Sequence, residues 1–472
     1  MEKIFMPGKV YLVLRLDTED FLLEDSDDST LRLANIMDAC RVRGNFNITG
    51  KKIEGLLRRG RSDVINVLKK HDITSHSYGH SLHPSVREFL SETGWSDGIV
   101  EFIRRESVMV NLIRKTFGKV PIGYGHGGGN WAPQAYGAMH ALGMKVYTSM
   151  WSYLNPGPTP YWYCGILQMD TTLRSGDVDD PERGMKIHLE SVQKARSMGG
   201  GLLNFAAHDC NFTTGEYWDE VNFRNGAMPP ENEWKKPRPF SKGKQEERWL
   251  GFERYLQYAL SFQDLQVVTP TEICSLYADQ HYKHIFNYNE LAKLAADSLA
   301  EISYRPFDGG YLSAAEIFYL LVSFSLSRLT QRGKPQQHYI ANIFGPVRRC
   351  QTDKRATGLP WHHFAASLID INDYMTVHGH IPAGIRVGSM LISPSDYLAT
   401  LASIFHVIVE DNMPATVSIM RARLVTEDLV NEERVRDIWR WLTPDQSFTA
   451  PGLVELAKLQ CWTYKPAVLS NR

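Results

Sequence analysis

The sequence pairs no cysteines, gathers no charge of one sign and never runs apolar for long. Its six cysteines, Cys40, Cys164, Cys210, Cys274, Cys350 and Cys461, are scattered without a Cys-x-x-Cys pair. That pattern excludes a zinc ribbon and predicts reduced thiols, not a disulfide framework. Lys and Arg total 52 against 53 Asp and Glu, a formal net charge of -1, so no global field draws the chain to nucleic acid or an anionic membrane. Neither is expected as a partner. The local basic cluster Arg58-Arg59-Gly60-Arg61 reads as a solvated helix end. No uncharged apolar run approaches the ~18 residues of a membrane span. Met1 to Lys9 lacks the charged-then-apolar pattern of a secretory signal, so a cytoplasmic location is expected. What remains is ordinary globular material, 472 residues with 43% hydrophobic and 22% charged. A chain this long predicts two or three domains.

The first half alternates short apolar runs with helical stretches, the pattern of β/α units. Val10 to Leu16 is a β-rich run that stops at an acidic cluster beginning with Asp17. Strands are also predicted at Gly44 to Thr49, Ile73 to Ser75, Lys145 to Ser149, Gly200 to Ala207 and Leu265 to Thr269. Helices are predicted at Leu31 to Cys40, Val64 to Lys70 and Ala135 to Gly143. Composition shifts after about Tyr282, and from Asn287 the chain reads mainly helical. The expected division is therefore 1–282 and 287–472. Leu312-Ser313-Ala314-Ala315-Glu316 and Ile392-Ser393-Pro394-Ser395-Asp396 share a hydrophobic-Ser-x-x-acidic helix start, a hint of two related repeats.

Three groups of residues carry chemistry, each at the carboxyl end of a predicted strand, the face where α/β barrels collect catalytic side chains. Asp17-Thr18-Glu19-Asp20 puts three carboxylates in four positions, which repel unless a cation or donors neutralise them. An acidic turn explains the cluster about as well as a metal or a general base. His76 and His80 stand four apart, so a helical turn puts both imidazoles on one ion. Ser77 stands where a His-Glu-x-x-His metalloprotease needs Glu. Two histidines and a carboxylate leave metal positions open for water and substrate. His83 reads as a loop residue before Pro84. His208 closes an apolar strand, where it can protonate a leaving group with Asp209 beside it to orient it.

In this order, these residues resemble the polysaccharide deacetylases of carbohydrate esterase family 4, the NodB-homology domain. The resemblance spans about the first 280 residues and implies a distorted β/α barrel followed by a mainly α-helical accessory domain. It implies Asp17 as catalytic base and His208 as general acid. It also implies His76 and His80 as metal ligands, with Glu19 or Asp20 as the third. Glu19 is preferred, since in an extended strand it points the same way as Asp17. Lys70 to His80 matches the family's second motif, Asn45 to Gly50 its second strand and Val268 to Glu272 its usual domain end. In the third motif, Tyr124-Gly125-His126-Gly127-Gly128-Gly129-Asn130-Trp131, Gly125 stands where the family has an Arg that braces the catalytic Asp. His126 or a cation from elsewhere is left to replace it. Tyr124, His126 and Trp131 are candidate substrate contacts, Trp131 as a stacking platform for a sugar ring or equally as core. No fourth motif is recognisable between Asp170 and Asp180.

The implied activity is metal-dependent removal of an acyl group from an N-acylated sugar or related amide. Zinc is the default ion, although cobalt, nickel and iron accept the same ligands. One rival is an amidase acting on a small non-carbohydrate amide. A second is a catalytically impaired carbohydrate-binding module. An iron oxygenase is disfavoured, because those use a close His-x-Asp/Glu pair. His362-His363 and His378-Gly379-His380 lack a nearby acid and read as surface or packing residues. His380 to Gly388 with Ile392 to Leu398 resembles repeats that bind archaeal pseudomurein, which would position a polymer beside the barrel. Nothing in the sequence indicates an oligomeric state.

Overall fold

The computed structural model describes residues 8–155, 160–174, 180–330, 337–436 and 448–470. The first apolar run becomes the central strand β1, Val10–Thr18. Val10, Leu12, Leu14 and Leu16 pack with Leu33 and Met37 of the Asp25–Ala39 helix and with Phe252 and Leu256 of the Lys242–Leu260 helix. Tyr11 and Val13 belong to a different cluster, with Val146, Leu167 and Met169. The pleat thus sends even residues to the helices and odd residues inward. Arg15 and Asp17 continue the inward row, each 1% exposed.

Beside β1 lie β2 (Asn45–Ile48), β3 (Asp72–Ser75), β4 (Gly123–Gly125) and β5 (Val146–Ser149), each parallel to the one before. After β6 (Tyr161–Tyr163), β7 (Ile166–Asp170) pairs antiparallel with β6 and parallel with β5. Two residues later β8 (Leu173–Arg174) lies parallel on β9 (Gly201–His208). β9 in turn pairs with β1, Val10 opposite Gly201 and Asp17 opposite His208. The Thr171 N–H donates to Ser149 O, on β5, and the Thr172 N–H to Asn204 O, on β9. That bend carries the chain from β7 to β8 at the sheet's edge, and the mainly parallel sheet curls into a distorted α/β half-barrel. β10 (Leu265–Val267) borders the first half of β1. The Pro270–Leu276 helix follows, capped by Thr269 and Glu272, and Ile273 and Tyr277 pack under the inward apolar layer.

The later chain is mainly helical, and a helix–hairpin–helix order occurs in it twice. Tyr288–Ala296, the hairpin Arg305–Phe307/Gly310–Leu312 and Ala314–Thr330 are followed by Trp361–His378, the hairpin Ile385–Val387/Met390–Ile392 and Pro394–Val409. Ser313 and Ser393 bond the amides of Glu316 and Asp396, the N-terminal bonds their spacing predicts. Each acid also receives a distant cation, Lys465 at 2.7 Å for Glu316 and Arg421 at 2.9 Å for Asp396. The chain end returns to the barrel, because Lys465–Pro466 pairs antiparallel with β6. One apolar cluster runs from Leu90 and Trp131 to Leu321 and Tyr397, so core packing crosses the expected division at 282. All six cysteines are free. Among the described residues, no helix is long and apolar enough to cross a membrane.

Candidate active site

β1 delivers Glu19 and β3 delivers His76 and His80 to the same end of the barrel. Glu19 Oε2 lies 3.3 Å from His76 Nε2 and 2.7 Å from His80 Nε2. All three side chains are buried, at 2–4% exposure. The Glu19 oxygen accepts no well-directed hydrogen bond, as expected where lone pairs converge. The outer ring nitrogens are already committed. His76 Nδ1 donates to Gly125 O at 2.9 Å. His80 Nδ1 lies 2.7 Å from Ser81 Oγ, which itself donates to Asp219 Oδ2 at 2.6 Å. With each Nδ1 holding the proton, each Nε2 lone pair faces Glu19. This arrangement, an imidazole oriented by an outer carbonyl or carboxylate, is how proteins set metal-binding histidines. A tetrahedral zinc with bonds of about 2.0 Å separates its ligand atoms by about 3.3 Å, so these donors fit a divalent ion. Among the described residues, no other group of three or more such side chains lies within ligand reach.

Electrostatics separate the acids. Burial works against the Glu19 carboxylate, but His80 and His208 hold it well below the usual range. Burial also disfavours the His80 imidazolium, yet Glu19 and Asp219 outweigh it and raise that ring to about 10. Without a metal, the proton takes the cation's place. Burial raises Asp17 too, but Arg15, His76 and His208 win and keep it ionised. Arg15 Nη2 stands 3.4 Å from Asp17 Oδ2, and Asn47 Nδ2 donates to Asp17 Oδ1 at 2.7 Å. A cation therefore does brace Asp17, but it comes from β1. A Cβ at Gly125 would meet Thr148 Oγ1 at 2.6 Å and Asn47 Nδ2 at 2.9 Å, so position 125 has no room for a side chain.

Other expected residues fall elsewhere. His208 Nε2 lies 3.7 Å from Asp17 Oδ2, its ring edge-on to Tyr217 and 13% exposed, the most accessible of these groups. Asp209 does not orient it, because its carboxylate turns to Thr30 Oγ1. Asp20 stays out of the metal group, accepting from the amides of Leu22 and Leu23 as a turn cap, and burial raises it to about 6. His126 bonds the hydroxyls of Tyr147 and Tyr153 at 3.0 and 3.1 Å, and burial keeps it neutral. Tyr124 and Trp131 are each 1% exposed and belong to the core. Trp131 stacks on Tyr153 at 4.8 Å, leaving no face for a sugar. His362 and His363 are exposed on their helix, and His378 and His380 flank Tyr374. Arg15 and Asp219 were not legible as site residues. Arg15 sits mid-strand in an apolar run, and Asp219 is 138 residues from Ser81.

No protein-family model and no curated protein matches this chain. Solved structures similar to it include a Mycobacterium smegmatis protein described as a polysaccharide deacetylase, at 14% identity, 57% of this chain, 90% of that chain and a TM-score of 0.40. PuuE allantoinase is 11% identical over 60% of this chain and 93% of its own, at 0.39. The chitin deacetylase of Colletotrichum lindemuthianum is 13% identical over 56% and 87%, at 0.32. Scores below 0.5 carry no inference about activity.

Proposed function

We propose that the protein is a metal-dependent hydrolase that removes an acyl group from an N-acylated sugar or a related amide. The observation that supports this reading is the convergence of Glu19, His76 and His80 beside the Asp17–His208 pair. A divalent ion held by the three ligands, zinc by default, would polarise the acyl carbonyl and acidify a water. Asp17, kept as a carboxylate by Arg15, takes the proton from the attacking water at Oδ2. Asn47 fixes Oδ1, so the base presents one oxygen. His208 passes a proton to the departing nitrogen. Separate His76→Ala and His80→Ala variants test the reading by metal content and acetate release from an N-acetylated oligosaccharide. Loss of both is expected in each variant; full metal and full activity in either would refute it.

A further inference from the structure

A wide groove runs along the flank of the barrel, and none of Asp17, Glu19, His76, His80 or His208 lines it. One wall is formed by Asp170, Thr171, Thr172 and the first residues of β9; the other belongs to the C-terminal region and its returning tail. The groove has a volume of about 1080 Å³, just above the roughly 300–1,000 Å³ usual for ligand sites. Four tyrosines dominate it. Tyr277 and Tyr464 are 3% and 4% exposed, and Tyr304 and Tyr311 are half-buried. Tyr304 meets Tyr311 and Tyr464 edge-on, at centroid distances of 5.4 and 5.6 Å.

None of the four hydroxyls has a hydrogen-bond partner among the described residues. Nearly buried tyrosines normally satisfy that hydroxyl. Here each offers a donor and an acceptor to whatever enters. Among the described residues, the lining carries one lysine, Lys194, and one acid, Asp170. A phosphorylated or strongly acidic ligand needs more cations than that. Flat apolar rings edged with hydroxyls, between nearly neutral walls, match the alternating apolar faces and hydroxyl rims of sugars.

We propose that this groove binds a neutral saccharide chain laid across Tyr311, Tyr304 and Tyr464. It would be an ancillary site that holds a polymer against the barrel wall. Its inner edge is close to the chemistry, since Thr171 Oγ1 accepts a hydrogen bond from Arg15 at 3.3 Å. The choice of an N-acetylated probe rests on the proposed function; the groove itself does not.

Isothermal titration of the full chain with a β-1,4-linked N-acetylglucosamine hexamer tests the site, with a proline-rich peptide as the competing ligand class. The Tyr304→Ala/Tyr311→Ala pair is expected to weaken hexamer binding at least about tenfold. Tyr304→Phe/Tyr311→Phe keeps the rings and the fold, and is expected to lose part of the affinity. Binding that ignores both tyrosine pairs, or heat from the peptide but not from the hexamer, overturns the proposal. Groove-dependent binding without acetate release would sink the hydrolase reading and leave this one standing. Acetate release that depends on His76, with hexamer binding indifferent to the tyrosines, would do the reverse.

Discussion

Arg15 and Asp17 form an ion pair at 3.4 Å with side chains 1% and 2% exposed. Burial depresses the guanidinium, and Asp17 and Asp170 pull it back, so its charge depends on its acids as much as theirs depend on it. Removing one member of such a pair leaves a buried charge without compensation, at about 3–5 kcal/mol. Arg15→Met is therefore expected to lower unfolding free energy by about that amount in urea titrations. A loss under about 1 kcal/mol would mean that Asn47 alone satisfies Asp17. The sequence could mark Asp17, Glu19, His76, His80 and His208, because each stands at a strand end where polarity breaks an apolar run. It could not mark Arg15, whose position carries no signal beyond being the third inward residue of β1. Tyr124 and Trp131 stand beside glycines and read as candidate substrate contacts, Trp131 equally as core; here the glycines make room for neighbours and both rings fill the core.

The turn that carries the histidines is an element held under constraint. Ser77 and His80 have φ of 60° and 54°, a left-handed conformation costly for residues other than glycine. The turn is held by Gly50 N–H to Ser77 O, Lys51 N–H to Tyr78 O and Tyr78 N–H to Glu106 Oε2. Packing limits the loop opposite, since a Cβ at Gly127 would lie 2.2 Å from His80 Cδ2. Gly127→Ala must displace that ring, and is expected to weaken zinc affinity about tenfold or more in chelator competition. Unchanged affinity would place the metal elsewhere. Burial raises Glu106 itself to about 7 from 4.5. The folded state then holds this proton more tightly than the unfolded chain. Its stabilising contribution is complete below about pH 4.5 and is lost as pH rises through about 7. Buried His71 and His188, depressed to about 4, act with the opposite sign between about 4 and 6.5. The comparison with Glu106→Gln isolates the one group. That variant is expected to gain up to about 3 kcal/mol over the parent at pH 8 and nothing at pH 4. A difference that does not change with pH would show that Glu106 does not titrate in this range.

At the scale of the whole molecule, composition and packing divide the chain differently. Hydropathy and periodicity report local structure, so the shift after about Tyr282 was visible, as were the paired Ser-x-x-acidic starts at Ser313 and Ser393. What crosses that point was not visible, because it depends on segments hundreds of residues apart. Leu90, Phe102 and Trp131 share an apolar cluster with Leu291, Phe318 and Phe405. Lys465, 5% exposed, joins Asp279 at 2.5 Å to Glu316 at 2.7 Å, while its strand extends the barrel sheet beside β6. A fragment of residues 1–282 keeps every candidate catalytic residue but loses that strand, the Lys465 partner of Asp279 and one side of the shared core. Apolar surface of this kind is not left exposed by stable monomers. The fragment is expected to associate or to melt without a cooperative transition, measured by sedimentation and circular dichroism. A monomeric fragment that unfolds cooperatively, binds one zinc and matches the parent's midpoint would instead make the barrel an independent unit. The returning tail would then be an attachment and no part of its fold.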